Sequence, residues 1–335
     1  MCGCITDRIA LPDSGKEETG MEQMSKIKTE QRNANTVDID RVSTSELVRL
    51  MNEEDKKVAL VVEQVLPQIA KAIDVIYRQM CRGGRLIYCG CGTSGRLGAL
   101  DAAECPPTFS ADPDMVMAVL AGGPTAMTTA VEGAEDIPEE GEKSLRDIGF
   151  TKEDVLVGIA ASGRTPYVLG AMRYAKALGA SVIGVTCCQG SEIDAAADIG
   201  ISPQPGPEVI TGSTRLKSGT AQKMVLNMLS TGAMIRMGKV YSNLMVDVKA
   251  TNQKLCVRAA TIVCSATGVS RERACEALEK AGYAVKTAII MILCDVGVEE
   301  ADRLLAAKGG RIADVVLAQE DGERKDAYVR QISRG

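Results

Sequence analysis

The chain has 335 residues, 45% of them hydrophobic and 25% charged, with a net charge of −5 at neutral pH. That is long enough for one large core plus an appendage, and the acidic balance argues against nucleic acid as a general partner. There is no histidine, which excludes Ser-His-Asp and Cys-His catalysis and any histidine-ligated metal, and leaves proton transfer to carboxylates, Lys, Tyr or Cys.

Residues 1–27 are polar and unpatterned and read as a flexible N-terminal extension. They lack the apolar centre of a signal peptide, and no run in the chain is long enough to span a bilayer, so no membrane partner is expected. The twelve cysteines are scattered without Cys-x-x-Cys spacing. They read as free thiols in a cytoplasmic protein, with no metal site. Ser43 or Thr44 followed by Glu46 marks a helix start, continued by the apolar stripe Leu47, Leu50 and Met51. Val58 through Ile76 is a second helical pattern, with Pro67 as its kink or break, and Gly83-Gly84 ends it.

Leu86 to Cys89 reads as a buried strand. It breaks at Gly90 and Gly92, and Leu97 to Ala103 reads as a closely packed helix that Pro106-Pro107 stop. Met115 to Leu120 is a strand. Ala126 to Val131 begins a helix that runs out over Glu132–Asp136, and a charged segment continues to about Leu145. Asp154–Ala160, Ser181–Thr186 and Ile199–Ser202 are further strands, with helices at Pro166–Leu178 and Ile193–Ala197 between them. This alternation predicts an α/β fold with a doubly wound, mostly parallel sheet flanked by helices. After a Pro/Gly loop, the turn Gly212–Lys223 opens a long helix through Met234. The expected division is 28–252 for the sheet domain with its N-terminal helices, 253–320 for a small helical C-terminal subdomain, and 321–335 for a polar tail.

Two stretches carry the chemistry. Gly90-Cys-Gly-Thr-Ser-Gly-Arg96 and Ala161-Ser-Gly-Arg164 each follow a strand, contain Ser-Gly-Arg, and open a helix. Helix starts leave backbone N–H groups unpaired and present a positive dipole end, glycines let backbone approach a ligand, and hydroxyls add donors. Two such turns at the carboxyl ends of parallel strands can converge on one anion. The alternative is that Ser94 is only an N-cap and the glycines only a tight turn. No Gly-Lys-Ser/Thr follows, so this is not a Walker loop. The glycine spacing reads as a poor dinucleotide fingerprint, and a single phosphate is the expected ligand.

These segments, together with Asp101-Ala-Ala-Glu-Cys-Pro-Pro-Thr-Phe109, Ala130-Val-Glu-Gly-Ala-Glu-Asp136, Gly212-Ser-Thr-Arg-Leu-Lys-Ser-Gly-Thr-Ala-Gln-Lys223 and Tyr241 to Asn252, closely resemble the N-acetylmuramic acid 6-phosphate etherases. That family belongs to the sugar isomerase (SIS) superfamily and is related to the glucokinase regulatory protein. The resemblance runs from about Lys28 to Leu305, with Cys91 standing where Ala is usual. It implies an SIS fold, a phosphosugar substrate, no cofactor, a homodimer, and cleavage of the lactyl ether by elimination then hydration. It also implies Glu104 as proton donor and Glu135 as candidate base, which fits the need for carboxylates in a chain without histidine. Burial of Glu104 among Cys105, Pro106 and Pro107 is expected to raise its pKa.

For the phosphate the candidates are Thr93, Ser94, Ser162 and Thr165, with the backbone of Gly92, Gly95 and Gly163. Arg96 and Arg164 are weaker candidates, since either can point away from the site. Ser213, Thr214, Lys217 and Ser218 are candidates for the sugar or carboxylate end; Lys217 pairs with the lactyl carboxylate, with the phosphate, or with an acid of the protein itself. The N-terminal helices and the methionine-bearing helix after Lys223 are the expected dimer surfaces. The competing functions are a sugar phosphate isomerase and a non-catalytic sugar phosphate sensor. No basic recognition helix precedes the sheet to suggest a DNA-binding regulator.

Overall fold

The computed structural model describes residues 28–247 and 253–319. The N-terminal extension, the polar tail and the end of the Tyr241–Asn252 stretch lie outside the described residues. Five strands, β1 (Leu86–Gly90), β2 (Val116–Leu120), β3 (Val155–Ile159), β4 (Ser181–Val185) and β5 (Ile199–Ile201), form one sheet. Its order is β2-β1-β3-β4-β5 and every pairing is parallel. The chain steps outward from β1 in one direction to β2 and in the other to β3, so the strand order reverses between β1 and β3. Ligands of open parallel sheets bind at the carboxyl edge of that reversal. The register sets Gly90 opposite Ile159, which levels the two turns that follow.

Helices cover both faces. Leu86, Tyr88, Val155, Val157, Ile159, Ile183 and Val185 pack in one core with residues of α3 (Leu66–Met80), α4 (Gly92–Phe109) and α8 (Lys217–Arg236). Ile87, Cys89, Leu156 and Val182 pack on the other face with residues of α5 (Pro138–Asp147), α6 (Pro166–Ala177) and α7 (Glu192–Ala196). Burial on both faces is why these strands read as unbroken apolar runs rather than alternating ones. Two shorter helices, α1 (Thr44–Asp55) and α2 (Lys57–Glu63), precede α3. Ser43 caps α1 as expected, its Oγ accepting the Glu46 N–H at 3.3 Å. Pro67 marks a break, sitting in the first turn of α3, where its missing N–H costs no helical bond.

The structure differs from the sequence reading in three places. Helix α4 does not stop before Pro106-Pro107 but carries both in its last turn and ends at Ser110, in the left-handed region at φ 46°. Buried Cys105 and Phe109 hold that turn against the lost backbone bonds. The helix expected over Ala126–Val131 is only a 3-10 turn at Pro124–Met127. Arg96 explains it: its Nε–H donates to the carbonyls of Ala126 at 2.8 Å and Met127 at 3.2 Å, the acceptors that a continuing helix would need four residues later. The charged segment to Leu145 is instead α5. Arg146–Glu142 and Lys143–Asp147 pair at i, i+4 along it, and Leu145 is its buried anchor.

Beyond α8 come a hairpin, β6 (Val240–Tyr241) and β7 (Leu244–Met245), and helices α9 (Gln253–Thr267), α10 (Arg271–Lys280), α11 (Val285–Cys294) and α12 (Val298–Ala307), followed by a helical segment at 312–319. They share a core of their own that includes Val263, Leu278, Ile289, Ile290 and Val315. Ser110 Oγ–H donates to the Asp247 carbonyl, and the Arg311 guanidinium donates to the Arg236 carbonyl at 3.2 Å, tying this part to α4 and α8. Among the described residues no helix is long and apolar enough to cross a membrane.

Candidate active site

Both Ser-Gly-Arg turns are built by glycine at close approaches, to backbone in the first and to a side chain in the second. A Cβ on Gly90 would lie 2.7 Å from the Gly95 nitrogen, and one on Gly95 would lie 2.6 Å from the Gly90 carbonyl oxygen, so α4 folds back directly onto the end of β1. Gly90, Gly92 and Gly95 do stand at Gly-x-Gly-x-x-Gly spacing, contrary to the sequence reading, and they do that motif's structural work of tight turn and close helix–strand packing. In the second turn Gly163 has φ +71°, and a Cβ there would meet Ser191 Oγ at 2.1 Å. Its carbonyl accepts the Ile193 N–H at 2.9 Å.

Four helices begin around this edge, and they differ in what occupies their amides. The start of α7 is capped by Ser191, whose Oγ accepts the Asp194 N–H at 3.3 Å. The start of α8 is closed by the buried carboxylate of Glu208, which accepts the N–H groups of Lys217 at 3.0 Å and Ser218 at 2.9 Å. The starts of α4 and α6, at Cys91 and Thr165, have no side-chain cap. The two helices that begin at the Ser-Gly-Arg stretches, α4 containing its copy and α6 following its own, are therefore the ones whose first amides carry no side-chain cap and remain open to an anion.

Thr93 is half-buried and faces Gly219, whose missing Cβ would lie 3.4 Å from Thr93 Cγ2. Ser94 is not an N-cap. It is the third residue of α4, buried, and its Oγ–H donates to Gln222 Oε1 at 2.9 Å. Ser162 and Thr165 are half-buried, and Ser162 lines a cleft of about 170 Å³ with Lys28, Arg164, Cys188, Ser191 and Gln204. The Cys187 N–H donates to the Ala161 carbonyl at 2.9 Å and its thiol to the Ser218 carbonyl at 3.7 Å, so the end of β4 joins the second turn to the start of α8. Ser213 and Thr214 are half-buried in the loop before α8.

Lys217 and Ser218 are corrections. Lys217 is 1% exposed, and its Nζ–H groups donate to Glu54 Oε2 at 2.6 Å and the Pro205 carbonyl at 3.0 Å. Ser218 Oγ–H donates to Glu208 Oε1 at 2.8 Å. Of the three partners open to Lys217, the acid of the protein itself is the one it takes. Both residues build the frame of the site and neither reaches its opening.

Glu135 stands on a 3-10 turn (Ala134–Asp136) and is exposed. With Cys91, Gly92, Arg96 and Val131 it lines a cavity of about 230 Å³ beside the first turn. Burial, followed by the charges of Glu135 and Asp136, pushes the Cys91 thiol up to about 12, so this cysteine stays protonated and is no nucleophile. Glu104 is exposed on α4 rather than buried among Cys105, Pro106 and Pro107. It lies ten residues after Ser94, which at 1.5 Å per residue is about 15 Å along the axis. The first turn and Glu135 line one cavity, and Glu104 is not among its lining residues. The sequence reading named no role for Gln222, although it lies in the Gly212–Lys223 stretch; its contact with Ser94 marks it here. No group of three or more His, Cys, Asp and Glu side chains among the described residues has the arrangement of a metal site.

Fold and turns together define an SIS-domain protein. Residues 68–176 match the N-terminal SIS domain of glucokinase regulatory protein, 137–232 the SIS domain, and 242–292 the C-terminal lid domain of glucokinase regulatory protein. The chain is 55% identical to the N-acetylmuramic acid 6-phosphate etherase of Clostridium beijerinckii over 87% of its length and 95% of that protein. It is 53% identical to that of Caldanaerobacter subterraneus over 89% of its length and 97% of the relative, and 54% identical to that of Cronobacter sakazakii over 86% and 97%. The chain belongs to the N-acetylmuramic acid 6-phosphate etherase family.

Proposed function

We propose that this chain is a carbon–oxygen lyase that cleaves the lactyl ether of N-acetylmuramic acid 6-phosphate, yielding N-acetylglucosamine 6-phosphate and D-lactate. The observation that carries this is identity of 53–55% with etherases over nearly all of both chains. The uncapped helix starts supply a seat for the 6-phosphate, made of Thr93, Ser94, Ser162 and Thr165 with the amides of Gly92, Gly95 and Gly163. In the open-chain sugar the C1 aldehyde acidifies the C2 proton. Glu135, beside the first turn, takes that proton, and the C3–oxygen bond breaks as Glu104 protonates the departing lactyl oxygen. Water then adds across the double bond, hydroxyl to C3 and proton to C2. This chemistry is acid–base throughout and calls for no cofactor.

Glu104 lines neither of the cavities beside the two turns. In our reading Glu104 therefore acts on the sugar held by a second copy. The surface that supports a dimer is an apolar groove of about 630 Å³ between α3 and α8, lined by Leu66, Ile69, Ile73, Met224, Met228 and Ile235. Leu66 and Ile235 are 43% and 48% exposed there, which suits a face covered by another chain. The setting we assign is cytoplasmic amino-sugar recycling or catabolism, consistent with described cysteines that form no disulfide.

The test is D-lactate release from N-acetylmuramic acid 6-phosphate by the wild type, Glu104→Gln, Ser162→Ala, and a refolded mixture of the two variants. Wild-type activity, loss in Glu104→Gln with phosphosugar binding kept, and partial recovery in the mixture is the expected pattern. A folded wild type that binds the phosphosugar without releasing lactate would replace the lyase by a sensor. No recovery in the mixture would put Glu104 back on its own chain's substrate.

A further inference from the structure

One buried amide has no role in the chemistry above. Gln222 is 1% exposed on the second turn of α8. Its Oε1 accepts the Ser94 Oγ–H at 2.9 Å, while its Nε2 has no partner among the described residues. In this orientation Ser94 directs its one proton inward, away from the opening of α4, and two amide N–H donors are stranded in the interior. A serine hydroxyl has a single proton and two acceptor sites. The nitrogen and oxygen of a primary amide are nearly isosteric, and the hydrogen-bond network decides which end faces which partner. After a half-turn of the amide, Nε2 donates to Ser94 Oγ across the same 2.9 Å. The Ser94 proton is then released toward the uncapped start of α4. The amide oxygen left behind is an orphan acceptor, a state that proteins tolerate more readily than an orphan donor.

We propose that Gln222 is a positioning residue for the phosphate subsite: its amide donates to Ser94 Oγ and so commits the Ser94 proton to a phosphate oxygen. This rests on the reading that Ser94 binds the 6-phosphate. The bond from Ser94 to the phosphate is charge-assisted and among the stronger kinds available to a hydroxyl. An amide able to turn keeps one hydrogen bond to Ser94 in either orientation, with the serine proton inward when the site is empty and toward the anion when it is filled. A carboxylate at 222 could only accept, and a thioether could accept only weakly and could not donate.

The experiment is a double-mutant cycle on Ser94→Ala and Gln222→Met, read as KM and kcat for D-lactate release and as the inhibition constant of inorganic phosphate. Ser94→Ala raises KM and the phosphate constant roughly tenfold, the scale of one hydrogen bond to a charged group. Gln222→Met raises both several-fold with kcat little changed, and the double variant is no worse than Ser94→Ala alone. Multiplying effects, or a Gln222→Met enzyme with wild-type constants beside a weakened Ser94→Ala, would overturn the proposal while leaving Ser94 on the phosphate. An unchanged phosphate constant in Ser94→Ala would remove Ser94 from the subsite and the proposal with it. Should Gln222→Met not fold, the isosteric Gln222→Glu carries the test. Its phosphate constant, relative to wild type, rises with pH as the introduced carboxyl ionises and recovers toward acid; a ratio independent of pH overturns the proposal.

Discussion

The buried pair Lys217–Glu54 gives the sharpest test of how the site is framed, because a frame residue and a substrate ligand fail differently. Glu54 is 3% exposed. Burial alone would raise its pKa, but donors from Lys217, Lys57, Asn35 and Asn33 outweigh it and hold the carboxyl at about 2, against an ordinary value of 4.5. At about 1.4 kcal/mol per pH unit, that difference amounts to roughly 3 kcal/mol of folding free energy. Lys217→Met removes the buried cation and leaves the Pro205 carbonyl without this donor, for a loss of about 3–5 kcal/mol at pH 7. The assay is urea denaturation followed by circular dichroism, beside KM for the phosphosugar. A large fall in midpoint is expected. An unchanged midpoint with a KM raised tenfold would refute the framing role and return Lys217 to the substrate. The pH arm uses Glu54→Gln. The folded pKa of Glu54 lies below the unfolded one, so its stabilisation is complete above about pH 4.5 and disappears as pH falls toward 2. The stability gap between wild type and Glu54→Gln should be widest near neutrality and close across that window; a gap independent of pH would refute the assignment.

Gly163→Ala forces a side chain into a left-handed turn, at about 1–2 kcal/mol, and into Ser191. Its inhibition constant for inorganic phosphate should rise at least several-fold, and a wild-type constant with wild-type stability would count against the second turn as a phosphate seat. Tyr88→Phe removes the hydroxyl that donates to Asp101 Oδ2 at 2.7 Å and should lower stability in urea by about 1–3 kcal/mol, with kcat unchanged; an unaltered midpoint would show that Asp101 is satisfied without it. Met228→Arg places a charge in the α3–α8 groove and should convert a dimer to monomer in sedimentation, with loss of lactate release. An active dimer would clear that face of a role in assembly.

The sheet was readable because strand, turn and helix alternate in the text and each strand is apolar on both faces, as Leu86–Gly90 and Val155–Ile159 show. What escaped depends on side chains that reach across the fold. Nothing local in Ala126–Val131 announces that Arg96 will take its carbonyls. Burial of Lys217 follows from Glu54, 163 residues away, and pattern reading has no access to such a pairing. Glu104 was expected in a protected pocket from its apolar neighbours. Yet on a helix Cys105 faces the core and Glu104 the outside, as the 100° step between successive residues requires.

Helix α8 shows why the proposed phosphate seat can be rigid although its own turns are mostly glycine and small residues. The methionine-bearing helix α8 is buried on several sides, and polar side chains along its first half face inward. Lys217 reaches Glu54 beside α2, Ser218 reaches Glu208, Gln222 reaches Ser94, and Asn227 donates to Asp101 at 2.6 Å. The last two contacts fall on successive turns of α8 and meet α4 seven residues apart, so they fix its rotation as well as its position. A Cβ at Gly219 would stand in ordinary van der Waals contact with Thr93, 3.4 Å from its Cγ2. In the proposed site, a phosphate at the start of α4 is therefore held against a helix whose first three turns are anchored by buried polar ties. Of these ties, Gln222–Ser94 is the one whose loss should reach the proposed phosphate seat as weaker binding, whereas loss of Lys217–Glu54 falls on stability.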